Sequence, residues 1–278
     1  MLRQRVISAT VLIPIIIFTI WFAPYWLFTL LFGFVILLAV YEFHKIVRYI
    51  DIQPFVEIGL IITAIFITYA YFSSHSSLSS SVNILPLLGA AVALTGYVIY
   101  FLHRFTGRPS TATVIRWFWT IAGVIYVGWM GSHFVLLRGV EGWDMGRRWV
   151  LLALFATFAS DTFAYFIGRA WGRHKMAPSI SPGKTWEGAV GGFFGGLGAT
   201  VLLAYILGID IGWKLILLGC LIPVFAMLGD LAESKFKRST GVKDAGSIIP
   251  GHGGILDRLD SILFVVVVVY YYVLWVIM

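Results

Sequence analysis

The stretch Leu259-Asp-Ser-Ile-Leu-Phe-Val-Val-Val-Val-Val-Tyr-Tyr-Tyr-Val-Leu-Trp-Val-Ile277 decides the fold. In water, five valines followed by three tyrosines would favour a strand. The run is apolar without interruption after Ser261, and it is about as long as the ~20 residues an α-helix needs to cross a bilayer. In hydrocarbon every backbone N–H and C=O must be satisfied within the segment, which a helix achieves and a lone strand does not. The expectation is therefore a transmembrane helix. A transmembrane β-barrel would alternate apolar and polar residues, and this run does not.

Working outward, the same kind of segment recurs. Of the 278 residues, 60% are hydrophobic and 12% charged, against about 25% charged in soluble domains. Nine spans are expected, at 6–23, 26–43, 55–73, 83–102, 114–137, 148–168, 187–207, 213–233 and 259–277. The fold class is an all-α polytopic integral membrane protein. The first span follows Arg3 and Arg5 but shows no small-x-small cleavage site, so it is read as a retained helix. Cys220, the lone cysteine, lies in an apolar run and is read as a packing residue.

Nine spans put the N-terminus and the loops after even-numbered spans on one side. Sixteen of the twenty Lys and Arg residues fall there; Arg138, Arg147, Arg148 and Lys214 fall opposite. Cytoplasmic loops carry such an excess, so the N-terminus and the basic loops are expected to be cytoplasmic. The net charge of +7 is accounted for by this bias, and no nucleic-acid partner is expected.

Polar residues at membrane depth are confined to one half. Residues 1–138 read as transmembrane scaffold helices and 139–278 as the catalytic region, within one continuous membrane domain. Asp161 sits inside the sixth span, Asp230 and Glu233 near the end of the eighth, and Asp257 and Asp260 at the start of the ninth. A charge at the bilayer centre costs at least ~2.5–3.5 kcal/mol, so such residues are by default functional. Asp230, Glu233, Ser234 and Lys237 recur at i, i+3, i+4 and i+7 on one helical face, as do Asp257, Asp260 and Ser261 at i, i+3 and i+4. Converging carboxylates of this kind suit Mg²⁺; the alternative is interhelical ion pairing.

Two polar loops flank these acids. The loop from Ser234 to Ser261 mixes cations with Gly251, Gly253 and Gly254. Backbone N–H groups at such glycines can approach an anion closely, and Lys237, Arg238 and Lys243 supply charge for phosphate oxygens. His252 is either a ligand or a plain loop residue. The loop between the sixth and seventh spans contains Lys175 and the triplet Gly183-Lys184-Thr185. A phosphate-binding P-loop would need glycine at position 178, where Pro178 stands, and a preceding strand. That reading is rejected, while Lys175 and Lys184 remain candidate phosphate contacts. Gly188, Gly192 and Gly196, spaced by four, are read as a helix-packing stripe.

The loop also carries a family resemblance. Ser234, Lys237-Arg238, Lys243-Asp244, Pro250-Gly-His-Gly-Gly254 and Asp257-Arg258-Leu-Asp260 stand in register with the signature of the CDP-diacylglycerol synthase (phosphatidate cytidylyltransferase) family. Ser160-Asp-Thr-Phe-Ala-Tyr-Phe-Ile-Gly-Arg169 and Ile180-Ser-Pro-Gly-Lys-Thr-Trp-Glu-Gly188 also look like that family. The resemblance covers about residues 160–261. It implies an all-helical bacterial plasma-membrane enzyme, dimeric in many members, that uses Mg²⁺, with room for a second cation, to convert CTP and phosphatidic acid into CDP-diacylglycerol and pyrophosphate. The metal ligands expected are Asp230 and Asp257, followed by Asp260 and Asp161. Lys175, Lys184, Ser234, Lys237, Arg238, Lys243, His252, Gly253 and Gly254 are expected around the phosphates, and Arg258 near the acids or a phosphate. Two rival readings are a CTP-dependent transferase acting on another lipid phosphate and an ion-coupled secondary transporter. Transporters of that kind often show internal repeats, and none is seen here.

Overall fold

The computed structural model describes residues 2–75, 101, 111–246 and 253–278. Eight helices and one small hairpin make up the described chain: α1 (Leu2–Phe22), α2 (Tyr25–Val47), α3 (Val56–His75), α4 (Thr111–Gly139), α5 (Gly142–Trp171), β1 (Lys175–Ala177), β2 (Ser181–Thr185), α6 (Trp186–Leu207), α7 (Trp213–Ser239) and α8 (Leu256–Tyr272). Seven helices, α2 through α8, are long and apolar enough to cross a membrane, and Leu12–Phe22 of α1 forms a shorter apolar helix. The protein is an integral membrane protein of the expected all-α class. The expected fourth span at 83–102 falls almost wholly outside the described residues, as does His252.

The valine-rich run is helical, as lipid dictates, and continues past Tyr272 as a π-helical turn over Val273–Ile277. Many large apolar side chains stay on the outside, among them Phe163, Phe166, Phe194, Leu202 and Ile206. In water such a surface would drive aggregation; in a bilayer it is the solvated face.

The helices meet where their side chains are small. A Cβ on Gly188 would lie 2.7 Å from the Ala164 carbonyl oxygen, and one on Gly192 2.9 Å from the Ala164 Cβ. A Cβ on Gly196 would lie 3.1 Å from both Pro223 and Ser160. The glycine stripe of α6 thus seats that helix against α5 and α7, the close approach that small residues permit in lipid. In α4, Val124–Trp129 is a π-helical turn. Just before it, Gly123 faces His44 of α2, and within it Gly128 faces Thr63 of α3. The ring of Phe43 in α2 stacks on Phe236 of α7 with centroids 4.4 Å apart, which ties the first part of the chain to the last.

The hairpin was not expected: 173–188 reads as a plain polar loop. Lys175 pairs with Thr185 and Ala177 with Ser181 in an antiparallel ladder broken by an irregularity. Thr185 then caps α6 by accepting the Gly188 N–H at 3.1 Å. The strand nearest the site therefore enters α6 without slack.

Candidate active site

The C-terminal ends of α5 and α7, the N-terminal ends of α6 and α8, and the hairpin gather at one end of the bundle, because consecutive helices run antiparallel. A cavity of about 600 Å³ opens there. Asp161, Arg169, Lys175, Lys184 and Asp230 line its polar part, and Ala164, Ala189, Pro223 and Met227 its apolar part. The Lys184 ammonium reaches down from β2 and pairs with the Asp230 carboxylate at 2.7 Å. Ser234, one turn after Asp230, donates its hydroxyl to the same carboxylate at 3.2 Å.

Behind this wall lies a second acidic layer, made by α7 and α8 crossing at Gly229. A Cβ on Gly229 would lie 2.5 Å from the Asp260 carbonyl oxygen and 3.2 Å from the Ser261 Cα, so only glycine lets the two backbones approach this closely. The approach brings Glu233, which is fully buried, against the Asp260 carboxyl. Asp161 accepts a hydrogen bond from Ser261 and lies within the fields of Asp230 and Asp260. Four acids from three helices thus share one low-dielectric region, where unit charges interact far more strongly than in water.

Lys237 answers part of that charge, at 3.2 Å from Glu233 and 2.6 Å from Asp257. Asp257 is occupied on every side. Its oxygens accept from Lys237, from the Ala245 N–H at 3.0 and 2.9 Å, and from the Gly254 N–H at 2.8 Å. Gly253 has φ +84°, a left-handed conformation that suits glycine, and a Cβ there would lie 2.7 Å from the Asp257 Oδ2. Asp257 therefore organises the turn that begins α8.

The predicted residues fall into three groups. Asp161, Asp230, Lys175 and Lys184 line the cavity, and Ser234 touches it through Asp230. Asp257, Asp260 and Lys237 stand in the layer behind it, with Gly253 and Gly254 in the adjoining turn. Arg238 donates to the Ile180 carbonyl at 3.3 Å and so fastens α7 to the hairpin. Lys243 and Arg258 are exposed, and neither lines the cavity.

Sequence reasoning missed three contributors. Glu42 of α2 is 2% exposed, and its Oε2 accepts the Leu256 N–H at 2.8 Å. Tyr126, set within the π-helical turn of α4, is half-buried, with its hydroxyl enclosed in the fields of Glu233, Asp260 and Asp230. Gly229 sets the α7–α8 crossing. Glu42 was detectable as an acid near the end of an apolar span; the other two depend on which helices touch, which one span does not reveal.

Among the described residues no three acidic, histidine or cysteine side chains converge into a ready-made metal centre. Asp161 and Asp230 nonetheless present carboxylate oxygens to one cavity, the ligand type a hard divalent ion takes.

Paired acids and lysines around a cavity at the end of a membrane bundle are what a membrane-embedded enzyme acting on phosphate esters requires. Residues 3–276 match the model of the Cytidylyltransferase family, and the chain belongs to that family; it is a nucleotidyltransferase. A phosphatidate cytidylyltransferase of a Synechocystis strain is 33% identical over 97% of this chain and 96% of its own length. One from Staphylococcus haemolyticus is 36% identical over 67% of each chain. One from Brucella abortus is 39% identical over 55% of this chain and 56% of its own.

Proposed function

We propose that this chain transfers the cytidylyl group of CTP to phosphatidic acid, giving CDP-diacylglycerol and pyrophosphate on the cytoplasmic face of a bacterial plasma membrane. The observation that carries the reading is the cavity whose lining brings Arg169, Lys175 and Lys184 together with Asp161 and Asp230, inside a member of the Cytidylyltransferase family. Its polar lining suits phosphates and its apolar lining suits the first carbons of acyl chains.

In this reaction a phosphate oxygen of the lipid forms a bond to the α-phosphorus of CTP while the bond from that phosphorus to the β-phosphate oxygen breaks. The lipid phosphate is already an anion, so no strong base is needed. The barrier comes from repulsion between two polyanions and from charge growing on pyrophosphate. Positioning and fixed positive charge supply most of the catalysis in such transfers. Lys184 and Lys175 hold phosphates from the hairpin side. Arg169 adds a third positive charge to the cavity wall, and Arg238, Lys243, Arg258, His252, Gly253 and Gly254 remain candidates for further phosphate contacts. Lys237 is held by Asp257 and Glu233 next to the acids.

Asp230, Asp260 and Asp161 would hold Mg²⁺, with Asp257 fixing the turn beside them. When bound, that ion supplies positive charge to phosphate oxygens. This assignment keeps the chemistry in 139–278 and the support in 1–138.

Purified protein, CTP labelled in the cytidine, phosphatidic acid and Mg²⁺ provide the test. Label entering a lipid with equal release of pyrophosphate is expected. No labelled lipid from phosphatidic acid refutes the reading, and transfer only to a different lipid phosphate moves the assignment to that lipid.

A further inference from the structure

Helix α8 carries Asp257 and Asp260, so where it starts fixes their positions. Its first N–H groups have no partner within the helix. Helices usually satisfy them with Ser, Thr, Asp or Asn at the cap. Here the cap residue is Ile255, which offers no side-chain oxygen. The missing acceptor comes from another helix. Glu42, five residues before the end of α2, places its carboxylate on the Leu256 N–H at 2.8 Å and also meets the Ile255 N–H. A negative charge at a helix N-terminus is favourable.

The same carboxylate sits where two strands of loop touch. A Cβ on Gly246 would lie 2.5 Å from the Glu42 Oε1, and one on Gly254 2.6 Å from the Oε2 and 2.7 Å from the Gly246 nitrogen. Gly246 and Gly254 therefore lie against each other, with the Glu42 carboxylate packed against both. Asp257 holds the neighbouring Ala245 and Gly254 N–H groups from the other side.

We propose that Glu42 is a positioning residue for the transferase site: from the scaffold half of the chain it caps α8 and pins the Ala245–Gly246 and Gly253–Gly254 backbones, fixing where Asp257 and Asp260 stand. The role rests on the cytidylyl-transfer reading for its kinetic consequence but not for its structural one.

The test compares Glu42→Ala, which removes the acceptor, with Glu42→Gln, which keeps one. Two readouts are taken on full-length protein in detergent: kcat and KM for CDP-diacylglycerol formation, and amide hydrogen exchange across 253–262. A misplacement near 1 Å costs on the order of 100-fold, so Glu42→Ala is expected to lose about that factor in kcat. KM for the lipid should stay nearly unchanged, and the Ile255 and Leu256 amides should lose protection. Glu42→Gln should keep most of both. Undiminished kcat and protection in Glu42→Ala overturn the proposal. So does a Glu42→Gln protein that folds but has lost on the order of 100-fold in kcat, and this second arm decides if Glu42→Ala does not fold. Wild-type protein without transferase activity refutes the functional reading alone, because exchange still reports the cap.

Discussion

The α7–α8 crossing makes a demanding prediction, because one missing methyl group controls it. In Gly229→Ala the new Cβ would start 2.5 Å from the Asp260 carbonyl oxygen, where ordinary contact begins at 3.4 Å. The obstacle is backbone, which no rotamer change can move. The helices must separate locally by about 0.9 Å, the difference between those distances, and overpacking of this sort costs ~1–3 kcal/mol. The same displacement pulls Glu233 and Asp230 away from Asp260. At roughly 100-fold per ångström of misplacement, turnover should fall by one to two orders of magnitude while the protein stays folded. The assay is lipid-linked cytidylyl transfer alongside thermal unfolding in detergent. Gly198→Ala is the control: that glycine sits in α6 with nothing within 4 Å of its would-be Cβ, and it should be silent. Wild-type kcat in Gly229→Ala would show that the close approach has no bearing on the acids.

Other perturbations test the same cluster from different sides. Asp230→Asn leaves the Lys184 ammonium without its 2.7 Å partner and should abolish turnover in a protein that still elutes as folded; activity equal to wild type removes Asp230 from the site. Asp257→Asn can accept with only one oxygen where Asp257 now serves Lys237, Ala245 and Gly254, so a backbone N–H left unpaired should cost ~1–3 kcal/mol in unfolding free energy as well as turnover. An unchanged melting temperature would mean that the turn does not depend on this carboxylate. Excess chelator should stop the reaction and added Mg²⁺ restore it, and full activity in chelator rules out the divalent ion. Gly192→Leu drives a large side chain into Ala164 and Ser160 of α5 and should prevent the protein from folding into detergent-stable form, as judged by its chromatographic profile.

What could be read from sequence followed from solvent and periodicity. Val265–Val269 had to be helical because lipid offers the backbone no partner. The glycine stripe of α6 packs where small residues in lipid pack. Asp230, Glu233 and Lys237 share a face because 3.6 residues make a turn. The hairpin was hidden because Pro178 and Pro182 are poor strand residues, and its ladder depends on the fixed ends of α5 and α6. Tyr126 was hidden because a π-turn rotates the helical face, and no periodicity announces one. Glu42 was assigned to scaffold because the residue it serves lies 214 positions away. The misses are contacts between distant helices, which local spacing does not encode.

The depth of the acids follows from helix length. Helix α7 has 27 residues and α5 has 30, or about 40 and 45 Å at ~1.5 Å per residue, whereas the hydrocarbon is ~30 Å thick. Counting ~20 residues from Trp213, the far end of α7, puts the boundary close to Glu233. Asp230 then stands within one turn of the lipid headgroups. On α5 the far end is marked by Arg147 and Arg148, which pair with Asp144; the same count from Trp149 ends near Gly168 and leaves Asp161 about two turns inside. That residue is tolerable because it faces a cavity whose lining also includes Lys175, Lys184 and Asp230 rather than hydrocarbon alone. The glycines of α5 and α6 accordingly serve packing and access together. They let the helices close where they touch, and Gly168, Gly188 and Gly192 line the same cavity as Asp161.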